Sequence, residues 1–265
     1  TGTHAYTIVI ADGDATSSSA SDLNTINGKT SEAVSLENVT ALTSSSLSDL
    51  ETLASDIGDG EFSNATFLTT IAVSDTTIEA DALAARIDSF DEINGDNKTT
   101  GMTLVSEATI NVASTEITAL LDDEADGRVT IVDQDINVDS GDISVDTAND
   151  LDLTTSGTIT ADITTTETVT DLKTLTGTHA YTIVIADGDA TSSTAAELTT
   201  INGKTTAAID ASAITALASD TIDNIKTLLT AGNDTDQFTA ASFESLTAVA
   251  AVSYTHLTLP TIGEV

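Results

Sequence analysis

The residues best placed to do chemistry are aspartates at alternate positions. Asp12 and Asp14 stand in ADGDATS at Ala11–Ser17, and Asp187 and Asp189 in its second occurrence at Ala186–Ser192. Asp133 and Asp135 open VDQDINVDSGD, which also holds Asp139 and Asp142. Hard oxygen ligands so spaced are what Ca²⁺ takes, which makes Asp12, Asp14, Asp133, Asp135, Asp187 and Asp189 the candidate calcium ligands. Known calcium loops are not matched. With Asp12 at the first loop position, the twelfth is Leu23, where an EF-hand needs a bidentate Glu; with Asp133 first, the sixth is Val138 in place of Gly. The chain has no Gly-Gly, which the nonapeptide calcium repeat requires. The competing reading is Asp at a strand-to-turn boundary, accepting local backbone N–H groups. That reading outweighs calcium at any single site, whereas weak cation binding spread over the acidic surface is expected. No cofactor is required; Ca²⁺ is the one the pattern admits.

Other catalytic signatures are missing. His4 and His179 occupy one repeat position just ahead of a strand and read as turn-capping or solvent-facing, while His256 lies near the end of the chain. There is no Gly-x-Ser-x-Gly, no phosphate loop and no Gly-x-Gly-x-x-Gly. Lys29, Lys98 and Lys204 recur near turns and suit a turn role in the repeat. The expectation is a protein that is not an enzyme.

Composition narrows the class. The 265 residues include 7 Lys and Arg against 43 Asp and Glu, a formal net charge of −36. Such a surface repels nucleic acid and anionic lipid and attracts cations. It also suits salt water, where a Debye length of roughly 3 Å at 1 M screens self-repulsion. Apolar residues make up 40%, enough for a core, yet with five Phe, three Tyr and no Trp that core must be small and aliphatic. There is no cysteine, so disulfides and thiolate chemistry are excluded. No signal peptide and no apolar run of transmembrane length occurs. The chain opens at Thr1, inside a repeat and without methionine, and is expected to be a piece of something longer.

The elements that must position these side chains are repeated. Thr1–Thr30 and Thr176–Thr205 differ only at Ser19/Thr194, Ser21/Ala196, Asp22/Glu197 and Asn24/Thr199. Near identity at that distance marks recent duplication, a mode of growth usual in large surface proteins and rare in enzymes. Shorter units start with β-rich runs near Tyr6, Val34, Leu68, Met102, Val129, Thr158 and Tyr181. A strand such as TTIAVSD leads through a turn to a Ser/Thr/Asp start and a narrow apolar helical stripe, as in Leu23 and Ile26, Leu47, Leu50 and Leu53, Leu83, Ile87 and Phe90, or Ile222, Ile225 and Leu228. Asn27-Gly28 is a stop signal. Each stripe is too weak to fold alone. Between Val129 and Thr165 the triplets Ile136-Asn137-Val138, Ile143-Ser144-Val145, Leu151-Asp152-Leu153 and Ile159-Thr160-Ala161 alternate as strands do. The expected fold is a repeat solenoid of stacked strand–turn–short-helix units, an α/β solenoid, with a central β-helix-like segment lacking helices; a meander of hairpins is the alternative for that segment. The expected organisation is repeat units over 1–128, the β segment over 129–165, a second copy of the long repeat over 166–251, and an unrelated tail over 252–265.

SGDISVDTANDLDLTTSGTITAD is similar to the repeats of filamentous-haemagglutinin-type secreted adhesins, where such units coil into a right-handed parallel β-helix. VTALTSSSLSDLETL, AVSDTTIEADALAARIDSF and IDASAITALASDTIDNIKTLL resemble the Thr/Ala/Asp-rich repeats of giant surface proteins of aquatic bacteria. Both resemblances imply export, great length and an adhesive or surface role, with surface glycans or other surface proteins as partners and neighbouring repeats as packing contacts. The expectation is an extracellular or cell-surface structural and adhesive segment. A calcium-stabilised extracellular binding module is the alternative, and a carbohydrate-active β-helix enzyme ranks below both because Trp and Tyr are too scarce for a sugar platform. The tail VSYTHLTLPT, Val252–Thr261, matches no repeat unit and closely resembles one translation frame of a transposase-based sequencing adapter. Pro260 and His256 are therefore expected to carry no function, and the tail to find no place in the core.

Overall fold

The computed structural model describes residues 3–11, 18–65, 70–94, 101–186, 193–232 and 234–239, and the backbone of 248–249. Two compact units emerge: Thr1–Gly141 with Leu153–Thr158, and Asp142–Asp152 with Ile159–Val265. The tail and its Tyr254 and Leu257 lie outside the described residues.

In the first unit, a Ser-rich start becomes helix α1 (Ala20–Asn27). Ser19 accepts from the Asp22 N–H, Asp22 reaches back to Ser19, and Gly28 closes the helix. This is the capping box that Ser and Asp three residues apart encode. Strands β1 (Val34–Ser35) and β2 (Ala41–Ser45) lead to helix α2 (Leu47–Gly58), followed by β3 (Phe62–Ser63), β4 (Thr70–Val73) and β5 (Thr77–Glu79). Then come α3 (Ala80–Asn94), β6 (Gly101–Thr103), β7 (Thr109–Ala113), α4 (Ile117–Ala125), β8 (Val129–Thr130) and β9 (Asp135–Ser140). Every pairing is parallel: β1 with β3, β2 with β4, β4 with β6, β6 with β8, β5 with β7 and β7 with β9. Parallel neighbours need crossovers, and α2, α3 and α4 supply them. Helix packs on sequential helix, α1 on α2, α2 on α3 and α3 on α4. The stripes of α1, α2 and α3 turn inward, with Leu23, Leu50, Leu53, Leu83, Ile87 and Phe90 fully buried and Ile26 and Leu47 half-buried, whereas of the Ile222, Ile225 and Leu228 stripe only Leu228 is buried and Ile222 is 57% exposed. Each buried Leu, Ile or Phe contributes about 1.5–3 kcal/mol.

The second unit begins with α5 (Val145–Thr154) and continues through β10 (Ile159–Asp162), α6 (Val169–Leu172), β11 (Ala180–Thr182) and α7 (Ala195–Asn202). It ends with β12 (Ile209–Asp210), β13 (Ala216–Leu217), α8 (Ile222–Gly232), β14 (Phe238–Thr239) and β15 (Ala248–Val249). β10 pairs with β11, β12 with β14 and β13 with β15, all parallel. The α7 capping box repeats that of α1, with Thr194 and Glu197 in place of Ser and Asp.

These observations correct the expected fold. The chain is an α/β fold with several open parallel sheets and eight helices among the described residues, and neither a solenoid nor a β-helix is formed. The central segment shows the physical cause. Ile136 and Val138 lie in β9 and Ile159 and Ala161 in β10, as their alternation predicts. Val145 and Leu151 instead belong to a helix whose buried face is Val145, Ala148 and Leu151, spaced three apart. Leu153, which strand alternation would turn inward, is 84% exposed. An apolar-polar-apolar triplet is too short to separate a period of 2 from one of 3.6, and Ala148 together with the Ser144 hydroxyl, which accepts from the Thr147 N–H at 3.1 Å, decides for helix.

Among the described residues the N-termini of α1, α2, α5 and α7 share one further device. The first free N–H groups are satisfied by a side chain one segment further along the chain. Ser45 Oγ accepts from Ala20 N at 2.9 Å and Asp75 Oδ2 from Leu47 N at 2.8 Å. Glu167 Oε1 accepts from Val145 N at 3.1 Å and Asp220 Oδ2 from Ala196 N at 2.8 Å. Carboxylates there also meet the positive end of the helix dipole. Part of the chain's acidity thus has a structural use.

Candidate functional site

Of the six candidate calcium ligands, Asp12, Asp14, Asp187 and Asp189 lie outside the described residues. Asp133 and Asp135 flank the buried Gln134, and both carboxylates already hold donors. Asp133 accepts from Ser106 Oγ at 2.5 Å and from Gln134 Nε2 at 2.9 Å, and Asp135 accepts from the Thr158 N–H at 2.7 Å. Gln134 folds inward, donates to the Val105 carbonyl and accepts from the Val132 N–H at 2.7 Å. Among the described residues no group of three or more His, Asp or Glu side chains is arranged to hold a metal ion.

The polar constellation that the fold does assemble is Asp152, His179 and Tyr181. β11 carries Tyr181, His179 stands just before it, and the C-terminal turn of α5 presents Asp152. His179 is buried. Its Nδ1 accepts the Ile159 N–H at 3.2 Å, which puts the ring proton on Nε2, and Nε2 donates to Asp152 Oδ1 at 2.6 Å. Burial works against the Asp152 charge. Hydrogen bonds from His179 and Thr176, with the positive charge of Lys204, outweigh it and hold the carboxyl below the usual carboxylate range. Gly177 lies between the partners with φ +63°, and a Cβ there would collide with Asp152 Oδ1 and His179 Nε2. Only glycine combines that backbone with that closeness.

Tyr181 is fully buried, and its hydroxyl has no hydrogen-bond partner among the described residues. Burial, and secondarily the Asp152 charge, push its ionisation well above the usual phenol value. The rings of His179 and Tyr181 sit 5.5 Å apart in an edge arrangement. Chemically, the set is closed. Both imidazole nitrogens are engaged, so the neutral ring has no lone pair to take a proton from a substrate.

The first copy of the repeat holds the same residues in other surroundings. His4 and Tyr6 keep a ring separation of 5.4 Å, and Thr30 Oγ1 donates to the Tyr6 carbonyl at 2.7 Å as Thr205 does to Tyr181 at 2.6 Å. Yet His4 is exposed and Tyr6 is 52% exposed. The sequence reading of a solvent-facing histidine fits His4; His179 is locked.

A second cluster surrounds Arg128. It reaches Asp91 at 2.7 Å, Asp123 at 2.8 Å and Asp88 at 3.3 Å, joining α3 to the end of α4. Burial raises the Asp123 carboxyl against the lowering effect of Arg128, while Asp88 and Asp91 add to the rise. The Arg128 guanidinium is held more firmly charged, first by its bond to Asp91. Beside it a cavity of about 330 Å³ between α3 and α4 is lined by Asp81, Ala84, Asp88, Glu116, Ala119 and Asp123.

Neither constellation is visible in the sequence: His179 and Asp152 stand 27 residues apart, and Asp91 and Asp88 stand 37 and 40 residues from Arg128, so that of these partners only Asp123 is local. The one local hint is Gly177 two residues before His179. Among the described residues no helix is long and apolar enough to cross a membrane. No protein-family model, no curated protein and no solved structure matches the chain.

Proposed function

We propose that this chain is a structural and adhesive segment of a large, secreted, acidic cell-surface protein. In this reading it presents repeated carboxylate-rich units for weak, multivalent contact with surface glycans or other surface proteins. The observation that carries it is the fate of one duplicated sequence. The same His–Tyr pair is solvent-facing in one copy and sealed in the other, while the bridge from the His to the following Thr and the Thr hydroxyl bond to the Tyr carbonyl are kept. A catalytic group needs one fixed environment. A scaffold residue needs only to pack against whatever lies beside it. Support also comes from the spending of polar side chains on inter-segment caps and closed pairs, and from the net charge of −36, which favours solubility in saline surroundings.

Individually weak contacts become useful when many act together. The test compares the free chain with microspheres carrying it at graded densities, over surfaces coated with glycans or with bacterial surface protein. Adhesion is expected to rise steeply with density while the free chain shows no binding at micromolar concentration. Adhesion no greater than that of microspheres coated with an unrelated protein of equal net charge would refute the adhesive reading.

A further inference from the structure

We infer that His179 is an acid-sensitive latch: a second proton on its ring releases the start of β10 from β11. The inference concerns a conformational device inside the second unit and stands whether or not the adhesive reading does.

One ring does two opposite jobs. Nδ1 accepts from the Ile159 N–H at 3.2 Å, while Nε2 donates to Asp152 Oδ1 at 2.6 Å. Ile159 is the first residue of β10, and both it and His179 are buried. Further along, the two strands pair in the ordinary way. Thr160, Ala161 and Asp162 lie opposite Ala180, Tyr181 and Thr182, and the Ile163 N–H donates to the Thr182 carbonyl at 3.0 Å. At the start of β10, then, a titratable side chain stands where a parallel ladder uses a main-chain carbonyl.

The neutral ring has one lone pair, on Nδ1, and the Ile159 N–H occupies it. A proton from solvent can bind only there. The imidazolium so formed carries N–H at both positions, and its Nδ1–H meets the Ile159 N–H head on. Two donors make no hydrogen bond, so this contact is lost. A buried amide stripped of its acceptor is costly, and the Ile159 N–H is driven towards water. The other side of the ring gains, because Nε2–H then presents a cation to the Asp152 carboxylate. Acid thus exchanges a strand contact for an ion pair.

The charged surroundings are few. Asp152, in the last turn of α5, favours the added proton. Lys204, in the turn after α7, opposes it, and its charge also reaches Asp152. Tyr181 of β11 lies edge-on to the ring and stays neutral. β10 turns its own Asp162 outward. Histidine is the side chain that ordinarily changes charge between about pH 5 and 8, so the latch is set to answer mild acid.

The test is NMR of the full ¹⁵N-labelled chain between about pH 8 and 5. Side-chain nitrogen shifts read the ring protons of His179, with the exposed His4 as reference. Hydrogen exchange of main-chain amides, corrected for the intrinsic rate at each pH, reads the latch. At the alkaline end His179 should show its proton on Nε2 and Ile159 should be protected. As His179 gains its second proton, Ile159 protection should fall about tenfold or more relative to Ile163, whose acceptor is a carbonyl. His179→Asn offers Ile159 an acceptor that does not titrate and should make its protection independent of pH. Asp152→Asn removes the carboxylate and should move the loss to lower pH. The parent chain decides the matter even if neither variant folds. Constant Ile159 protection through the protonation of His179 overturns the inference. So does a His179 that stays neutral throughout, or an equal loss at Ile163, which marks general loosening by acid.

Discussion

Tyr181→Phe should stabilise the protein, and Tyr6→Phe should not. The two tyrosines occupy the same repeat position, so the pair isolates environment from sequence. Tyr181 is fully buried with a hydroxyl that finds no partner among the described residues, whereas Tyr6 keeps half its surface in water. A buried hydroxyl left without a hydrogen bond costs about 1–3 kcal/mol. Removing it while keeping the ring preserves the edge contact with His179 and the packing under β10. The Asp152 carboxylate raises the ionisation of that hydroxyl further, and its removal adds no new charge or cavity. We therefore expect a gain of about 1–2 kcal/mol, which for a unit of this size is a rise in Tm of about 3–6 °C. Tyr6→Phe should stay within about 0.5 kcal/mol of the parent. Urea unfolding followed by circular dichroism at 222 nm reads both, with m compared to confirm that only stability has changed. A loss of about 1 kcal/mol or more in Tyr181→Phe would mean that the hydroxyl is well bonded and would refute the reasoning, as would equal effects at both positions.

Three further outcomes are expected. The Asp152, Glu197 and Asp220 carboxyls bind protons less readily in the folded protein than in the unfolded chain. Their stabilisation is therefore intact above the ordinary values of 3.8 for Asp and 4.5 for Glu, and is lost as pH falls through the lowered values. Asp123, raised by burial, works in the opposite direction, so Asp152→Asn should flatten the acid limb of a urea-midpoint profile between pH 5 and 3 while Asp123→Asn should not; an unchanged slope in Asp152→Asn would contradict the assignment. Asp75→Ala should cost about 1 kcal/mol through the uncapped Leu47 N–H, against less than about 0.5 kcal/mol for exposed Asp122→Ala, measured by urea midpoints. Salt should raise Tm by screening the charge, with Ca²⁺ no better than Mg²⁺ at equal ionic strength; a rise specific to Ca²⁺ would return attention to Asp12, Asp14, Asp187 and Asp189.

Helices with a strong local grammar were legible in the sequence. α1 falls where Ser19, the Leu23–Ile26 stripe and Asn27-Gly28 place it, and α3 where Leu83, Ile87 and Phe90 place it. Strand alternation held where it ran long enough, as in β9, and misled at Leu151-Asp152-Leu153, where three residues fit either period. The solenoid expectation took a repeated local rhythm for a repeated global arrangement, whereas the strands gather into separate open parallel sheets. The Asp152–His179 pair and the Arg128 cluster were not legible, because they depend on which strands pair and which helices pack together. Nothing in the sequence marks Ser45, Asp75, Glu167 and Asp220 as helix caps; the N–H groups they accept from lie a whole segment away, which short-range reasoning does not reach.

The caps taken from the following segment bear on how such a chain can lengthen. Ala20 depends on Ser45, Leu47 on Asp75, Val145 on Glu167 and Ala196 on Asp220. A recombination that copies whole segments in phase places each copied helix start ahead of another segment, which is where the capping oxygens of Ala20, Leu47, Val145 and Ala196 are found. A cut at another phase separates the two and leaves a first turn bare. Copying in whole segments is then the route with the least cost to folding, and the near-identical Thr1–Thr30 and Thr176–Thr205 have the form such a history would leave.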